Sequence, residues 1–244
     1  AAAAALAALR DPQFRAFFFT TALAMMADNI EHVISYWVLF QKFQSPVLGG
    51  IAVITHWVPF LLFAVMSGAF SDRFGPRKVI QIAQCMFLFV SVAWGVLFLT
   101  DTLTLWAAVV LLTLHGFSGV LWNPAMQLLL YDLVGRDQLQ SAVRLNATAL
   151  TLGQLLGPAI GGGLMMALGP AKGILVNACF YLPLIIWLFR LPIKARVELA
   201  TARATRGFAD IVAAFRDARA HPVILMMVVL AGTSFSVDAW AGDK

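Results

Sequence analysis

Five ionisable side chains stand inside apolar stretches of this chain, where charge is expensive. Asp28, Glu31 and His32 fall in the run Met25-Met26-Ala27-Asp28-Asn29-Ile30-Glu31-His32; His115 lies in a later run and Asp238 in the last. A carboxylate near a bilayer centre costs about 2.5–3.5 kcal/mol on insertion scales unless it faces a protein interior or a wet cavity. Asp28 and His32 are four residues apart and Asp28 and Glu31 three, so one helix would carry all three on roughly one face. Asn29 and Asn123 add neutral polar groups to the same candidate pathway. Two chemistries suit such a set. One is reversible protonation, in which carboxylates and an imidazole titrate together. The other is ligation of a first-row divalent metal by Asp28, Glu31 and His32. His56, near the outer end of its own run, is read as a packing group.

Hydrolytic chemistry is not expected. The chain lacks H-E-x-x-H, and Asp28-x-x-Glu31-His32 fails the inverted form at its first position. It also lacks G-x-x-x-x-G-K-[ST], so nucleotide-driven work would need another subunit. The reading is a non-enzyme without a cofactor.

The elements that must hold these residues are membrane-spanning helices. The 244 residues are 61% hydrophobic and 12% charged, against about 25% charged in a soluble domain. Runs of spanning length are expected at about 14–40, 47–70, 79–99, 103–130, a fifth through the glycine-rich 153–163, and 173–189. A net charge of +5 could suggest nucleic acid, but the distribution of charge excludes it. Arg10 and Arg15; Arg73, Arg77 and Lys78; Arg136 and Arg144; and seven bases from Arg190 to Arg219 occupy alternate connections, while Lys42 and Lys172 stand between them. That alternation is the positive-inside pattern of a chain with a cytoplasmic amino terminus. Cys85 and Cys179, both within apolar runs, are read as small buried hydrophobes.

Two motifs punctuate the runs. Between the second and third lies Gly68-x-x-x-Asp72-Arg73-x-Gly75-x-Arg77-Lys78, with Gly75 and Pro76 forcing a tight turn and starting a helix. Tyr131 to Leu139 is read as the next cytoplasmic connection. In the fifth run, Gly153, Gly157 and Gly161 recur every four residues, followed by Gly162, with Pro158 among them. Such a face lets another backbone approach closely, and Pro158 permits a bend.

The basic loop resembles the signature between the second and third helices of the major facilitator superfamily. The run from Asn123-Pro124-Ala125 through Asp132-Leu133-Val134 to Leu156-Gly157-Pro158-Ala159-Ile160-Gly161-Gly162 resembles its small-molecule efflux branch, which contains the enterobactin exporter; the resemblance covers about 10–192. It implies an all-α membrane protein: a six-helix bundle over 10–191, a cytoplasmic linker with an amphipathic helix over 192–221, and the start of a second bundle, with a seventh span, over 222–244. Residues 1–9, opening on five alanines, are set aside as disordered or artefactual. Aligning Pro12 with Pro222 puts Asp28 on Asp238, as parallel repeats imply. A twelve-helix transporter would need about 150–180 more residues, so a truncated transporter lacking most of its second half is expected.

The implied function is a proton-coupled exporter of a small organic molecule such as a drug, siderophore or metabolite, working by alternating access in a bacterial cytoplasmic membrane. Its partners would be the substrate, protons, the lipid bilayer and the other half of the transporter. The implied proton pathway is Asp28, Asn29, Glu31, His32, His115, Asn123 and Asp238; His115 stands four residues before Gly119, where the superfamily often carries an Arg. In the loop, Asp72 would cap a helix of the other half, and Arg73, Arg77 and Lys78 would meet anionic lipid or carboxylates. The alternatives are a divalent-metal exporter, since the ferroportin branch also has Asp-x-x-x-His on its first helix, and a lysolipid flippase of the same fold.

Overall fold

Proline at the first helical position, where its missing N–H is no loss, starts four of the helices among the described residues. The computed structural model describes residues 7–191, all within one compact unit. The linker helix, the seventh span and Asp238 lie outside the described residues. A short 3-10 turn, Ala7–Arg10, comes first. Its Ala8, within the tract set aside as 1–9, is fully buried.

Helix α1 is Pro12–Phe43, 32 residues. Asp11 caps it, its Oδ1 accepting from Gln13 N at 2.7 Å and Phe14 N at 3.2 Å, a cap worth about 1 kcal/mol. Gln44 ends it in the left-handed region, and Pro46 opens α2, Pro46–Phe74. Gly75 alone, at φ +85°, separates α2 from α3, Pro76–Leu99. Thr104 then caps α4, Leu105–Leu168, through Ala107 N. Gly169 at φ +76° and Pro170 start α5, Pro170–Ala178. A 3-10 turn at Cys179–Tyr181 leads into α6, Leu182–Arg190. Pro183 explains that turn, because it has no N–H to continue the ladder.

The connection expected at 131–139 is itself helical: α4 has 64 residues with no non-helical one among them. This stretch contains no proline, and its one glycine is tolerated in a helix at a cost of about 1 kcal/mol. Yet α4 cannot run straight. His115 and Gly157 both touch residues 28–29 of α1, whereas a straight helix would hold them about 63 Å apart, 42 residues at about 1.5 Å each. The path therefore folds back, giving two antiparallel spans, Leu105–Val134 and Gln138–Leu168.

Those two, Pro76–Leu99 and Pro170–Arg190 are long and apolar enough to cross a membrane. Helices α1 and α2, about 48 and 44 Å long, have the length, with α1 diluted by its polar middle and α2 apolar over Val47–Phe60. Outward faces carry Phe89, Trp106, Leu155, Met166 and Phe189, all well exposed. Lipid, which costs such groups nothing, is the solvent that suits them. Cys85 and Cys179 belong to these outward faces, free and exposed, contrary to the buried reading. Each lies on the side of its helix away from the core stripe.

Among the described residues the interior has two apolar clusters. One gathers Phe14, Phe17, Val79, Ala83, Phe87, Trp122, Met126, Tyr181 and Leu184. The other gathers Ile30, Ile34, Val90, Trp94, Leu111, Leu112 and Ile174. Along α1 they meet between Ala27 and Ile30, along α3 between Phe87 and Val90, and along α4 between Leu112 and Trp122. The polar residues of α1 and His115 occupy that boundary.

Candidate functional site

The site starts from the stripe on α1 that faces its neighbours: Phe14, Phe17, Thr21, Ala24, Ala27, Ile30, Glu31 and Ile34 recur at helical spacing. Glu31 is part of this buried stripe at 1% exposure. Asp28 and His32 flank it, with side chains 15% and 22% exposed. All three converge on His115 from α4, itself 5% exposed. Its Nδ1 lies 2.8 Å from Glu31 Oε1, and its Nε2 lies 2.9 Å from Asp28 Oδ1.

An imidazole with both nitrogens against carboxylate oxygens has a proton count to satisfy. Neutral histidine has one N–H and one lone pair, so one contact would set lone pair against lone pair. Either His115 is an imidazolium between two carboxylates, or one of the carboxyls carries the second proton. Both forms hold one more proton than neutral histidine with two ionised acids.

His32 is oriented separately. Its Nδ1 donates to Asp28 O at 2.8 Å, as a metal-ligating or proton-relaying histidine does when its tautomer is fixed. Its Nε2 lies 3.4 Å from Nδ1 of His56, on α2. The rings of His32 and His115 meet edge to face at 4.6 Å. Phe87 closes the cluster from α3, 4.9 Å from His115 and stacked on Tyr181 at 5.6 Å.

Glycines set the approach of these helices. A Cβ at Gly116, next to His115, would overlap Thr55 O, next to His56. The missing side chain is thus what lets α2 bring His56 in. In the fifth span, a Cβ at Gly153 would stand 2.7 Å from Met25 Cγ, one at Gly157 2.5 Å from Asn29 Cβ, and one at Gly161 3.3 Å from Ile30 Cα. The three pack on the back of the α1 segment that carries Asp28 and Glu31. Gly162 has open space where a Cβ would go, so it is not part of that contact; one further residue turns it about 100° away. Pro158 is exposed on the far side, with α4 helical through it.

Other expected site residues lie elsewhere. Asn29 donates to Met25 O at 2.9 Å and sits in the glycine contact instead of the histidine cluster. Asn123 is exposed and donates to Gly119 O at 3.1 Å, closing on its own helix. In the basic loop, Gly68 has open space beside it, and Asp72 and Lys78 are exposed. Arg73 lies over the Phe74 ring at 5.2 Å. Arg77 departs from the lipid or carboxylate expectation: its Nε donates to Leu188 O at 2.6 Å and its Nη2 to Phe189 O at 3.0 Å. It caps the carboxyl end of α6, where a cation is favoured. At the opposite end, Lys42 Nζ lies 2.6 Å from Asp101 Oδ1, and that hydrogen bond and charge hold the Asp101 carboxyl below the usual carboxylate range.

Arg77's partners were not read from the sequence, and His56, read there as a packing group, lies against His32. The one signal for His56 was that the chain has four histidines, three of them in its first half. Asn177 was missed as well: its Nδ2 donates to Ala27 O at 2.9 Å and to Ser91 Oγ at 3.3 Å, tying α5 to α1 and α3 beside Asp28.

Residues 3–242 match a protein family described as transmembrane secretion effectors. The chain is similar to the staphyloferrin A transporter of Staphylococcus aureus, 22% identical over 192 residues, which is 78% of this chain and 48% of that protein. It is 26% identical over 162 residues to an uncharacterized MFS-type transporter, YfiS, of Bacillus subtilis, 66% of this chain and 37% of the relative. It is 29% identical over 119 residues to the protein of Cronobacter sakazakii named "Putative multidrug resistance protein MdtD", 49% of this chain and 24% of the relative. The chain thus spans about half or less of the length of these curated relatives.

Proposed function

The chain belongs to the transmembrane secretion effector family of major facilitator transporters, and from that premise we propose that it is a proton-coupled exporter of a small organic molecule. The observation that carries the reading is the buried clamp of His115 between Asp28 and Glu31. Those three groups hold a proton inside the membrane at a boundary between two apolar clusters, and they form the proton-carrying site. The family description supports export, and the relatives named for staphyloferrin A and for multidrug resistance support a small organic cargo.

The cycle runs on one further proton. In the resting cluster the imidazolium leaves the trio one net negative charge. A proton arriving on Asp28, the more exposed carboxylate, neutralises the trio and lowers the cost of closing lipid-facing protein around it. Release of that proton to the other side restores the charge. His32, held by Asp28 O, positions the Asp28 turn and is not itself the carrier. Around this site the bundle rocks against a second bundle in alternating access. The amino terminus and the Arg77 loop are cytoplasmic, the Lys42–Asp101 pair faces outward, and the membrane is a bacterial cytoplasmic one.

The test uses the full chain in proteoliposomes with ethidium as the probe cargo. Asp28→Asn abolishes uphill, gradient-driven efflux and keeps downhill exchange measurable. Full gradient-driven efflux in Asp28→Asn, with loss in Glu31→Gln, would give the carrier role to Glu31. Full efflux in both variants would overturn the site.

A further inference from the structure

The three histidines do more than surround a proton. His32, His56 and His115 each offer a ring nitrogen, and these nitrogens lie within 4.8 Å of one another. The chain brings them together from α1, α2 and α4. Two imidazoles on one tetrahedral ion at about 2.0–2.1 Å hold their nitrogens about 3.3 Å apart. His32 Nε2 and His56 Nδ1 already stand at 3.4 Å. A triangle of side 4.8 Å places its corners about 2.8 Å from the centre, so each nitrogen needs to move about 0.7 Å at most to reach ligand distance. His32 is set for this role, because its Nδ1 proton goes to Asp28 O and leaves the lone pair on Nε2.

A cavity sits among these groups. Glu31, His32, His56 and His115 line it together with Ser35 and Tyr36, and it is about the size of one water or one bare ion. Glu31 Oε2 is buried and has no hydrogen-bond partner among the described residues. Glu31 thus shares the wall of this cavity with three imidazoles, and imidazole together with carboxylate is a donor set that zinc-class ions select.

We propose that His32, His56 and His115, with Glu31 as the fourth donor, form a binding site for one divalent transition-metal ion of the zinc and cobalt class, and that an ion there arrests transport. The inference builds on the proton-carrying reading of the same cluster. The metal takes a nitrogen of His115 and Oε2 of Glu31, and His115 gives up the proton it held toward a carboxylate, which leaves to water. With His115 held on the ion, the clamp on Asp28 and Glu31 is broken. Asp28 is not a ligand in this set, since it does not line the cavity.

The test takes the untagged full chain and cobalt alone. Cobalt titration should give one equivalent of binding with the d–d absorption of a tetrahedral site. His56→Ala should weaken that binding by at least the about 10–100-fold typical of losing a second-shell partner, and His56→Asn, which keeps a polar side chain in place, should do the same. Both variants should retain gradient-driven ethidium efflux, and zinc should inhibit efflux in the parent and not in them. No cobalt binding by the parent, octahedral absorption, or equal affinity in parent and both His56 variants would overturn the metal site while leaving the proton reading intact. Loss of efflux in Asp28→Asn with cobalt binding retained would support the metal site alongside the proton role.

Discussion

Replacing Gly157 with alanine tests how tightly the fifth span is held against the polar segment of α1. The new Cβ would stand 2.5 Å from Asn29 Cβ and 3.1 Å from Met26 O. Carbon atoms in good contact stand about 3.5–4.0 Å apart, so the two helices must separate by about 1 Å. Neither neighbour can swing away, since a Cβ and a carbonyl oxygen move only with the backbone. Overpacking of this kind costs about 3 kcal/mol at the rigid end of its range. Alanine recovers about 1 kcal/mol through its better helix propensity, for a net loss of about 2 kcal/mol. At about 2–4 °C per kcal/mol for a chain of this size, Tm in detergent should fall by about 4–8 °C. Gly162→Ala is the matched control, because its Cβ would meet open space. It should leave Tm unchanged or raise it by up to about 2–4 °C through propensity alone. Thermal unfolding of the two purified variants, followed by tryptophan fluorescence, gives the comparison. Equal shifts in both would refute the reasoning that Gly157 is in the contact and Gly162 is not. The same 1 Å would also move Asp28 from its 2.9 Å contact with His115, so gradient-driven efflux should fall in Gly157→Ala more than stability alone explains.

Arg77→Ala should remove two charge-assisted hydrogen bonds to the end of α6 and cost about 1.5–3 kcal/mol, read as a lower Tm; Arg77→Lys should recover part of it, because an ammonium cannot reproduce the fork on Leu188 O and Phe189 O. Cysteines at Lys78 and Thr102, in a background with Cys85 and Cys179 replaced, should label from opposite sides of the membrane with an impermeant maleimide, and labelling from one side would overturn the span order. Gly116→Val should push α2 from α4 at Thr55 and lower cobalt affinity without removing a ligand; unchanged affinity would show that the glycine does not set the approach of His56.

Much of the fold was legible because membrane spans are written in local composition. Gly75-Pro76 marks a helix end by its own dihedral needs, and the glycine period of four named the face that meets α1. The shared face of Asp28, Glu31 and His32 follows from helical spacing alone. Contacts between helices were less readable. His56 lies 24 residues from His32 on another span, and only the close approach at Gly116 decides that they meet. Arg77 finds carbonyls 111 and 112 residues away, and no periodicity encodes that pairing. Asn123 was read as a pathway group by type; its side chain is exposed and closes on Gly119 of its own helix, and the rotation of a helix that is apolar on most sides is weakly specified by pattern. The helical continuity at 131–139 escaped for a related reason: charged residues mark a membrane boundary whether or not the backbone stays helical there.

The claim at the centre is that a proton held by Asp28, Glu31 and His115 is exchanged for cargo. The most direct measurement loads proteoliposomes containing the full chain with a pH-sensitive dye and imposes an ethidium gradient with no initial pH difference. Ethidium moving down its gradient should drive protons the opposite way, and Asp28→Asn should pass ethidium without moving protons. Ethidium flux in the parent with no proton movement, or proton movement undiminished in Asp28→Asn, would contradict it.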